Sequence, residues 1–392
     1  MEKNVKSSYK MILFFGIVSL CGDIVYEGAR SIAGPFLFSL GATAVVVGFV
    51  SGIGEILSYG LRFFSGYIAD RKKAYWFLTI LGYGMIFFIP LLSFAHKLEI
   101  AIIFFILERI GKGIRTPARD TILSYASKNV GTGFGFGLHE FLDQIGAVLG
   151  PMIFTILLFS NKKYSAAFNI LWIPYLILMV ILFITKMKYP VPQELEKRTE
   201  EKDTNQVKKL PPIFYKYTIF TFFATSGFVN FQLISYHLKF KNVFSLAQIP
   251  LLYLIAMGID GLTAIGIGKI YDKIKLKCLI LIPLFSFLIP VFSFTESKLL
   301  VYFGIFIWAI VMGIHETIMR AAIADMIPVE KRGLSYGIFN IIYGSGIFIG
   351  GVVIGYLYQY VQKLIVPFVL VIEVIAFILF LNLIKKENQI VQ

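Results

Sequence analysis

The feature that most constrains the fold is the near-continuous run of apolar stretches along the chain. Each is about long enough to cross a bilayer as a helix of roughly 20 residues, and short polar or glycine-rich gaps separate them. We predict about twelve spans: 11–39, 43–69, 74–95, 98–123, 131–160, 164–186, 213–239, 246–271, 276–295, 299–325, 332–360 and 364–384. Because hydrocarbon offers no partner to a free backbone group, such a chain folds as an all-α, multi-pass membrane protein.

Composition excludes a soluble enzyme. The chain is 57% hydrophobic and 15% charged, whereas soluble domains carry about a quarter charged residues. A net charge of +14 would suggest nucleic acid in a soluble protein, but here the basic residues fill short gaps between spans, as cytoplasmic loops do. We therefore expect a lipid bilayer and no nucleic acid as partner. The two cysteines, Cys21 and Cys278, are predicted to be free thiols.

The distribution of Lys and Arg also predicts the orientation. Basic residues concentrate before the first span, after the second span and in 187–212, which puts these segments in the cytoplasm. An even number of spans then places both termini there, in the cell membrane. Leu20 precedes Cys21 where lipoprotein cleavage would need a small residue, so the first span is interpreted as an uncleaved helix.

The chain repeats itself at an offset of about 200 residues. The repeated elements are FFIPLLSF (Phe87–Phe94) with FLIPVFSF (Phe287–Phe294), Gly66-x-x-x-Asp70 with Gly268-x-x-x-Asp272, and Gly133, Gly137, Gly146 and Gly150 with Gly333, Gly337, Gly346 and Gly350. We predict two pseudo-symmetric six-helix halves, 1–186 and 213–392, joined by a hydrophilic cytoplasmic linker at 187–212. Parallel repeats of this kind are typical of secondary transporters.

One span carries a stripe of charge. Glu108, Lys112, Arg115 and Arg119 recur at helical spacing, so they share one face of a helix. A charge at bilayer depth costs about 2.5–3.5 kcal/mol on insertion scales, and these groups must therefore face protein, water or a ligand. We interpret the stripe as the lining of a polar cavity in a transporter.

Further ionisable residues lie at comparable depth. Asp23, Glu27 and Arg30 follow one another at i, i+4 and i+7, and Asp143 falls level with Asp23 and Lys112 at about 1.5 Å per residue. The candidate substrate and proton-coupling residues are Asp23, Glu27, Arg30, Glu55, Glu108, Arg109, Lys112, Arg115, Glu140 and Asp143, with Gln232, Tyr236, His315, Glu316 and Arg320 from the second half.

Two interpretations of this cluster stay open, and we favour the functional one. In it Asp23, Glu27 and Glu140 carry protons, because burial disfavours a charged carboxylate and a neighbouring cation restores it. Lys112, Arg109 and Arg115 then act as counter-charges to these carboxylates or as ligands of an anionic solute. In the other interpretation the same groups are ion pairs that fix helix register.

His139, next to Glu140, could relay protons, but we favour a packing role for it. No second group stands at metal-ligand spacing from it, so neither a metal nor a cofactor is expected. The glycines around 131–137 lack the spacing of a nucleotide site and fit close helix packing instead.

Several motifs resemble the major facilitator superfamily of secondary transporters. Gly66-Tyr-Ile-Ala-Asp70-Arg71-Lys-Lys73 is similar to its cytoplasmic loop motif, although the family pattern has a second glycine where Lys73 stands. The resemblance implies that Asp70 and Arg71 help to latch the outward-facing state. Two further similarities are Arg109-Ile-Gly-Lys-Gly113, related to an arginine motif of drug exporters, and Gly146-Ala-Val-Leu-Gly150-Pro151, related to a glycine–proline motif typical of antiporters.

The sequence thus predicts a monomeric permease that moves a small organic solute by alternating access, coupled to protons and directed towards efflux. One alternative is uptake of an anionic solute by proton symport, with Lys112 and Arg115 binding its carboxylate or phosphate. A different class is a membrane-embedded lipid flippase or enzyme. For the enzyme no nucleophile–base pair or metal-ligand set is found, so a non-enzymatic protein is expected.

Overall fold

The computed structural model describes residues 2–127, 129–130, 132–195, 210–327 and 332–391, and within them the chain is helical without strands. The helices are α1 (Glu2–Ser39), α2 (Ala44–Lys72), α3 (Tyr75–Gly84), α4 (Leu98–Ser127), α5 (Thr132–Phe159), α6 (Tyr164–Ile170), α7 (Trp172–Lys188), α8 (Pro212–Ser226), α9 (Phe231–Phe240), α10 (Gln248–Ile274), α11 (Leu281–Ser286), α12 (Leu288–Ser293), α13 (Lys298–Met326), α14 (Arg332–Tyr360) and α15 (Ile365–Val391). Short 3₁₀ segments cover Met85–Phe88, Pro90–Phe94, Pro192–Leu195, Lys275–Ile280 and Gln362–Leu364.

The helices confirm the predicted all-α, multi-pass fold. Within the described residues, eleven segments are long and apolar enough to cross a membrane. The remaining predicted span, α4, has 30 residues and so measures about 45 Å. Its charged stripe, not its length, separates it from the other eleven.

Four predicted spans, 74–95, 164–186, 213–239 and 276–295, are interrupted helices, and local chemistry explains the first three breaks. Pro90 starts a 3₁₀ turn after α3. Pro174 has no N–H to offer the carbonyl of Ile170, and α6 ends there before α7 begins. The seventh span ends as α8 before Gly227 and restarts as α9 after Asn230, whose side chain caps the new helix by accepting from the Leu233 amide at 2.9 Å.

The chain forms two compact units. Unit 1 contains Met1–Ser31 and Leu61–Asp203, and unit 2 contains Ile32–Gly60 and Thr204–Gln392. In unit 1, α3 and α5 pack against α4. In unit 2, α10 packs against α13, while α8 packs against α14 and α15. The predicted linker falls partly on 196–209, which lie outside the described residues.

The turns show the internal repeat in their backbone geometry. Lys73 and Lys275 close corresponding turns with φ of 53° and 52°, and Gly41 and Asn242 occupy another corresponding pair with φ of 92° and 54°. A left-handed conformation costs a residue with a side chain about 1–2 kcal/mol, and glycine escapes this cost. The geometry therefore gives the physical reason for a glycine at position 73, where this chain has Lys.

Glycines also allow close approaches between helices in each unit. In unit 1 a Cβ on Gly150 of α5 would collide with the carbonyl oxygen of Ile24 on α1. In unit 2 a Cβ on Gly350 of α14 would collide with the carbonyl oxygen of Ser226 on α8. Both contacts bring two backbones together without an intervening side chain, as small residues at helix interfaces do.

Candidate functional site

Two aspartates lie at the contact between α1 and α5 in unit 1. A Cβ on Gly146 would lie 3.0 Å from the Cβ of Asp23, so this glycine allows the two helices to approach at that level. Asp143, one turn before Gly146 on α5, is within electrostatic range of Asp23. The structure thus brings together two of the carboxylates that the sequence placed at one depth.

Lys112 of α4 completes this arrangement, because it is within electrostatic range of both Asp23 and Asp143. The Oδ1 atom of Asp143 is buried and has no hydrogen-bond partner among the described residues. When two neighbouring carboxylates interact with one lysine, the number of protons that the pair binds changes as the lysine moves closer or away.

Tyr26 is the centre of a group of three cations. The Nζ atom of Lys112 lies 4.0 Å from its ring centroid, and the guanidinium carbons of Arg109 and Arg30 lie 4.4 and 5.8 Å from it. Arg109 and Arg30 also donate hydrogen bonds to the tyrosine hydroxyl, at 2.5 and 2.9 Å. A desolvated cation over an aromatic ring gains about 2 kcal/mol, so this phenol holds the three cations in one place.

Sequence reasoning missed Tyr26. One signal was present, since Tyr26 stands four residues before Arg30 and therefore shares its helix face. The aromatic content of the chain, with 21 tyrosines, hid that signal.

Glu108 belongs to a second charged group, whose side chains are largely buried. Its carboxylate is 1% exposed and pairs with Arg115 Nη2 at 3.6 Å and with Arg109 Nε at 3.7 Å. Arg115 also donates to the Gly82 carbonyl at 3.4 Å and lies 5.1 Å from the Tyr83 ring centroid. Arg115 thus ties α4 to α3 through its hydrogen bond and its ring contact, whereas both ion pairs of Glu108 lie within α4. Glu27 makes a local pair with Arg30 at 3.6 Å.

Ser19 joins three polar side chains inside unit 1. Its hydroxyl lies 3.0 Å from the Tyr83 hydroxyl and 2.9 Å from His139 Nε2, and it accepts a hydrogen bond from Arg119 at 3.2 Å. His139 is buried, and this bond satisfies one of its ring nitrogens. A satisfied, buried histidine agrees with the packing role that we favour for it.

His139, Glu140 and Asp143 place one ligand atom each within 4.8 Å of one another. This is the geometry of a possible cation site that the sequence analysis did not anticipate. Arg119, however, donates to the same Ser19 that bonds His139, and it puts a fixed positive charge beside the trio. That charge disfavours a divalent cation there. Glu140 itself is exposed.

In unit 2 the candidate residues surround Tyr343. Its hydroxyl lies 3.4 Å from His315 Nδ1, and the other ring nitrogen of His315 is buried without a hydrogen-bond partner among the described residues. Glu55, Glu316 and Arg320 are all within electrostatic range of the Tyr343 hydroxyl. Unit 2 therefore has a polar centre of its own, to which Glu55 belongs.

The other unit 2 candidates lie on α9. Gln232 is 6% exposed, and its Oε1 atom has no hydrogen-bond partner within the described ranges. Tyr236 is part of an aromatic group, with ring centroids 5.3 Å from Phe38, 5.8 Å from Phe240 and 5.9 Å from Tyr358. Gln232 thus offers a hydrogen bond to a ligand, while Tyr236 contributes apolar surface.

The remaining candidates are the residues of the loop motif and of the glycine–proline motif. Arg71 is exposed and donates to the Tyr67 hydroxyl at 2.7 Å, one turn back on its own helix. Gly66 faces Pro117 of α4 in ordinary contact. The side chain of Asp70 lies outside the described part of the chain. Pro151 is buried within α5, directly after the Gly150 contact.

The chain is similar to known membrane proteins along nearly its whole length. It matches the family model of the Major Facilitator Superfamily over residues 15–351. It is 37% identical over 378 residues to an uncharacterised protein of Mycobacterium tuberculosis, covering 95% of this chain and 92% of that one. An uncharacterised MFS-type transporter of Methanocaldococcus jannaschii is 26% identical over 372 residues, with 91% of each chain covered.

Solved structures share the fold at low sequence identity. The nucleoside transporter NupG superposes with a TM-score of 0.73 at 13% identity, covering 96% of this chain and 98% of that one. A bacterial homologue of the human lysosomal transporter Spinster superposes with a TM-score of 0.72 at 14% identity, covering 96% and 97%. With the family model spanning the chain and the fold shared with transporters, this multi-pass membrane protein belongs to the major facilitator superfamily and is a transporter, not an enzyme.

Proposed function

We propose that the chain moves a small organic solute in exchange for protons, with Asp23 and Asp143 as the proton site. The observation that carries this proposal is the α1–α5 contact, where the two carboxylates lie in electrostatic range of each other and of Lys112. Ionising both carboxylates side by side is unfavourable without a cation, so the position of Lys112 controls how many protons the pair binds.

Lys112 links the proton pair to the solute. Its ammonium group is within electrostatic range of Asp23 and lies over the Tyr26 ring. A solute that displaces its ammonium group from the carboxylates causes the pair to take up a proton. A solute that carries positive charge to the carboxylates releases one. Either event couples solute binding to proton movement, provided that the site opens to the two sides of the membrane in turn.

Export by antiport is the direction that we propose. The support is the glycine–proline motif on α5, in which Gly146 abuts Asp23 and Gly150 abuts the α1 backbone. A motif typical of antiporters thereby positions one of the proposed proton carriers. We further propose a monomer in the cell membrane with both termini in the cytoplasm, organised as halves 1–186 and 213–392 around the linker.

Proteoliposomes loaded with a pH-sensitive dye test this function. A panel of sugar phosphates, dicarboxylates, nucleosides and lipophilic amines is added outside, with the lumen buffered weakly. We expect at least one class to change the lumen pH: entry by antiport makes the lumen alkaline, and entry by symport makes it acid. Absence of a response across the panel in either gradient direction, or chemical conversion of a solute, would contradict the proposal.

A second candidate is uptake of an anionic solute by proton symport. The specific observation in its favour is the set of cations held at Tyr26 by Arg30, Arg109 and Lys112. A carboxylate or phosphate could bridge them bidentately, since guanidinium groups present parallel donors. In the assay above this candidate predicts acidification by the phosphates or dicarboxylates and no response to the amines.

Substitutions at Tyr26 test whether the three cations bind solute. Tyr26→Phe keeps the ring but removes the acceptor for Arg30 and Arg109, which costs about 1.5–3 kcal/mol per charged hydrogen bond. We expect it to weaken the apparent affinity for the responding solute by about tenfold or more, and Tyr26→Ala to weaken it further. Tyr67→Phe, which removes the acceptor of exposed Arg71, is the matched control. Equal affinity in all variants would exclude the Tyr26 cations from solute binding.

A further inference from the structure

Glu373 on α15 is a buried acid that the site described above does not use. It is 2% exposed, and neither of its carboxylate oxygens has a hydrogen-bond partner among the described residues. It stands eight residues into α15, about 12 Å along the helix axis, and so within an apolar membrane span.

The carboxyl group occupies a cradle made by a glycine. A Cβ on Gly227 would collide with Oε1 of Glu373 and would lie 2.8 Å from its Cδ, so the acid occupies the space that this glycine leaves open. Gly227 begins the break between α8 and α9, where Trp308 donates to the Val229 carbonyl at 2.9 Å. Glu373 therefore lies against the interrupted backbone of the seventh span.

The surroundings provide no counter-charge. Helix α15 packs against α8, α11, α12 and α14, and against the 3₁₀ segments Lys275–Ile280 and Gln362–Leu364. Within the described residues, none of these elements brings a charged or titratable side chain into electrostatic range of the Glu373 carboxyl group. A buried carboxylate without a cation or hydrogen bonds is strongly disfavoured, whereas the neutral acid is tolerated.

We propose that Glu373 is a second proton-binding site, which holds a proton in this conformation and releases it when the break at Gly227 moves. At the end of α8 the Gly227 and Phe228 amides already bond the Phe223 and Thr225 carbonyls, and the protonated acid can donate to the remaining last-turn carbonyls after a small shift. Straightening or bending at 227–230 would change that contact and admit water. Protonation is thereby linked to the shape of a discontinuous helix, a place where membrane transporters bind ions.

The test reads the protonation state directly and needs no transported solute. Infrared spectra of purified protein in lipid nanodiscs are compared between wild type and Glu373→Gln at neutral pH. We expect the wild type to show a carbonyl band of a protonated carboxylic acid that the variant lacks. Glu99→Gln is the control, since it removes an exposed carboxylate in the first turn of α4, and it should leave that band unchanged.

Labelling of the wild type gives a second, variant-free measurement. Dicyclohexylcarbodiimide reacts with protonated carboxyl groups in apolar surroundings, and peptide mass spectrometry locates the adduct. An adduct on Glu373 and none on Glu108 supports the proposal. An identical acid band in wild type and Glu373→Gln overturns it. Should Glu373→Gln fail to purify as a folded protein, labelling alone decides, and an unmodified Glu373 overturns the proposal. These outcomes are independent of transport, so they are distinguishable from failure of the proposed function.

Discussion

The Asp23→Asn protein is expected to lose pH-driven transport down to the level of liposomes without protein. Asparagine keeps the size of the side chain but cannot bind the exchanged proton, so the pair with Asp143 no longer changes its charge with Lys112. Exchange of labelled for unlabelled solute across the membrane needs no net proton movement. We therefore expect this exchange to persist in Asp23→Asn, measured with the solute that responds in the proteoliposome panel.

Two other substitutions make this result specific. Lys112→Ala should abolish both pH-driven transport and exchange, because Lys112 contacts the proton pair and the Tyr26 group alike. Glu99→Gln, which removes an exposed carboxylate in the first turn of α4, should behave as wild type. If Asp23→Asn drives solute along a pH gradient as well as wild type does, the Asp23–Asp143 pair is scaffolding and the proposed mechanism is wrong.

The sequence predicts the helices well because one physical rule dominates them. A span must be apolar and about 20 residues long, and its ends are marked by charge, proline or glycine. For α14 the predicted and observed ranges coincide, at 332–360. The helix interruptions were harder to predict from the sequence, since Gly227 and Asn230 lie in a span whose apolar residues continue on both sides of them. Their effect depends on partners such as Trp308, which only the fold supplies.

The candidate site was predictable as a set of charges but not as a set of pairs. Insertion energetics require buried ions to find partners, so the acids and bases of α1, α4 and α5 had to meet. Which acid meets which base depends on helix rotation, and the sequence does not specify it. Glu108 was grouped with the functional charges, yet its contacts are ion pairs within α4, one of them with the Arg115 that bonds α3. Glu373 shows the reverse case, because only the three-dimensional fold reveals that its carboxylate oxygens have no hydrogen-bond partner among the described residues.

Glu108→Gln should produce the largest loss of stability among the charged positions. The substitution leaves Arg109 and Arg115 facing a neutral amide, and Arg115 is 4% exposed. Removing one partner of a buried ion pair costs about 3–5 kcal/mol. We expect a loss of that size in the free energy of unfolding, measured by titrating detergent-solubilised protein with dodecyl sulfate and following its helical signal.

A double variant separates an unpaired charge from a packing defect. Glu108→Gln with Arg115→Met removes the stranded guanidinium and fills its volume with an apolar side chain, so it should recover a large part of the lost stability. Glu27→Gln breaks a more exposed pair with Arg30 and should cost clearly less than Glu108→Gln. A double variant as unstable as Glu108→Gln would mean that shape, not charge, sets the contribution of Glu108. The division of unit 1 into a structural ion pair at Glu108 and a proton site at Asp23 would then lose its physical basis.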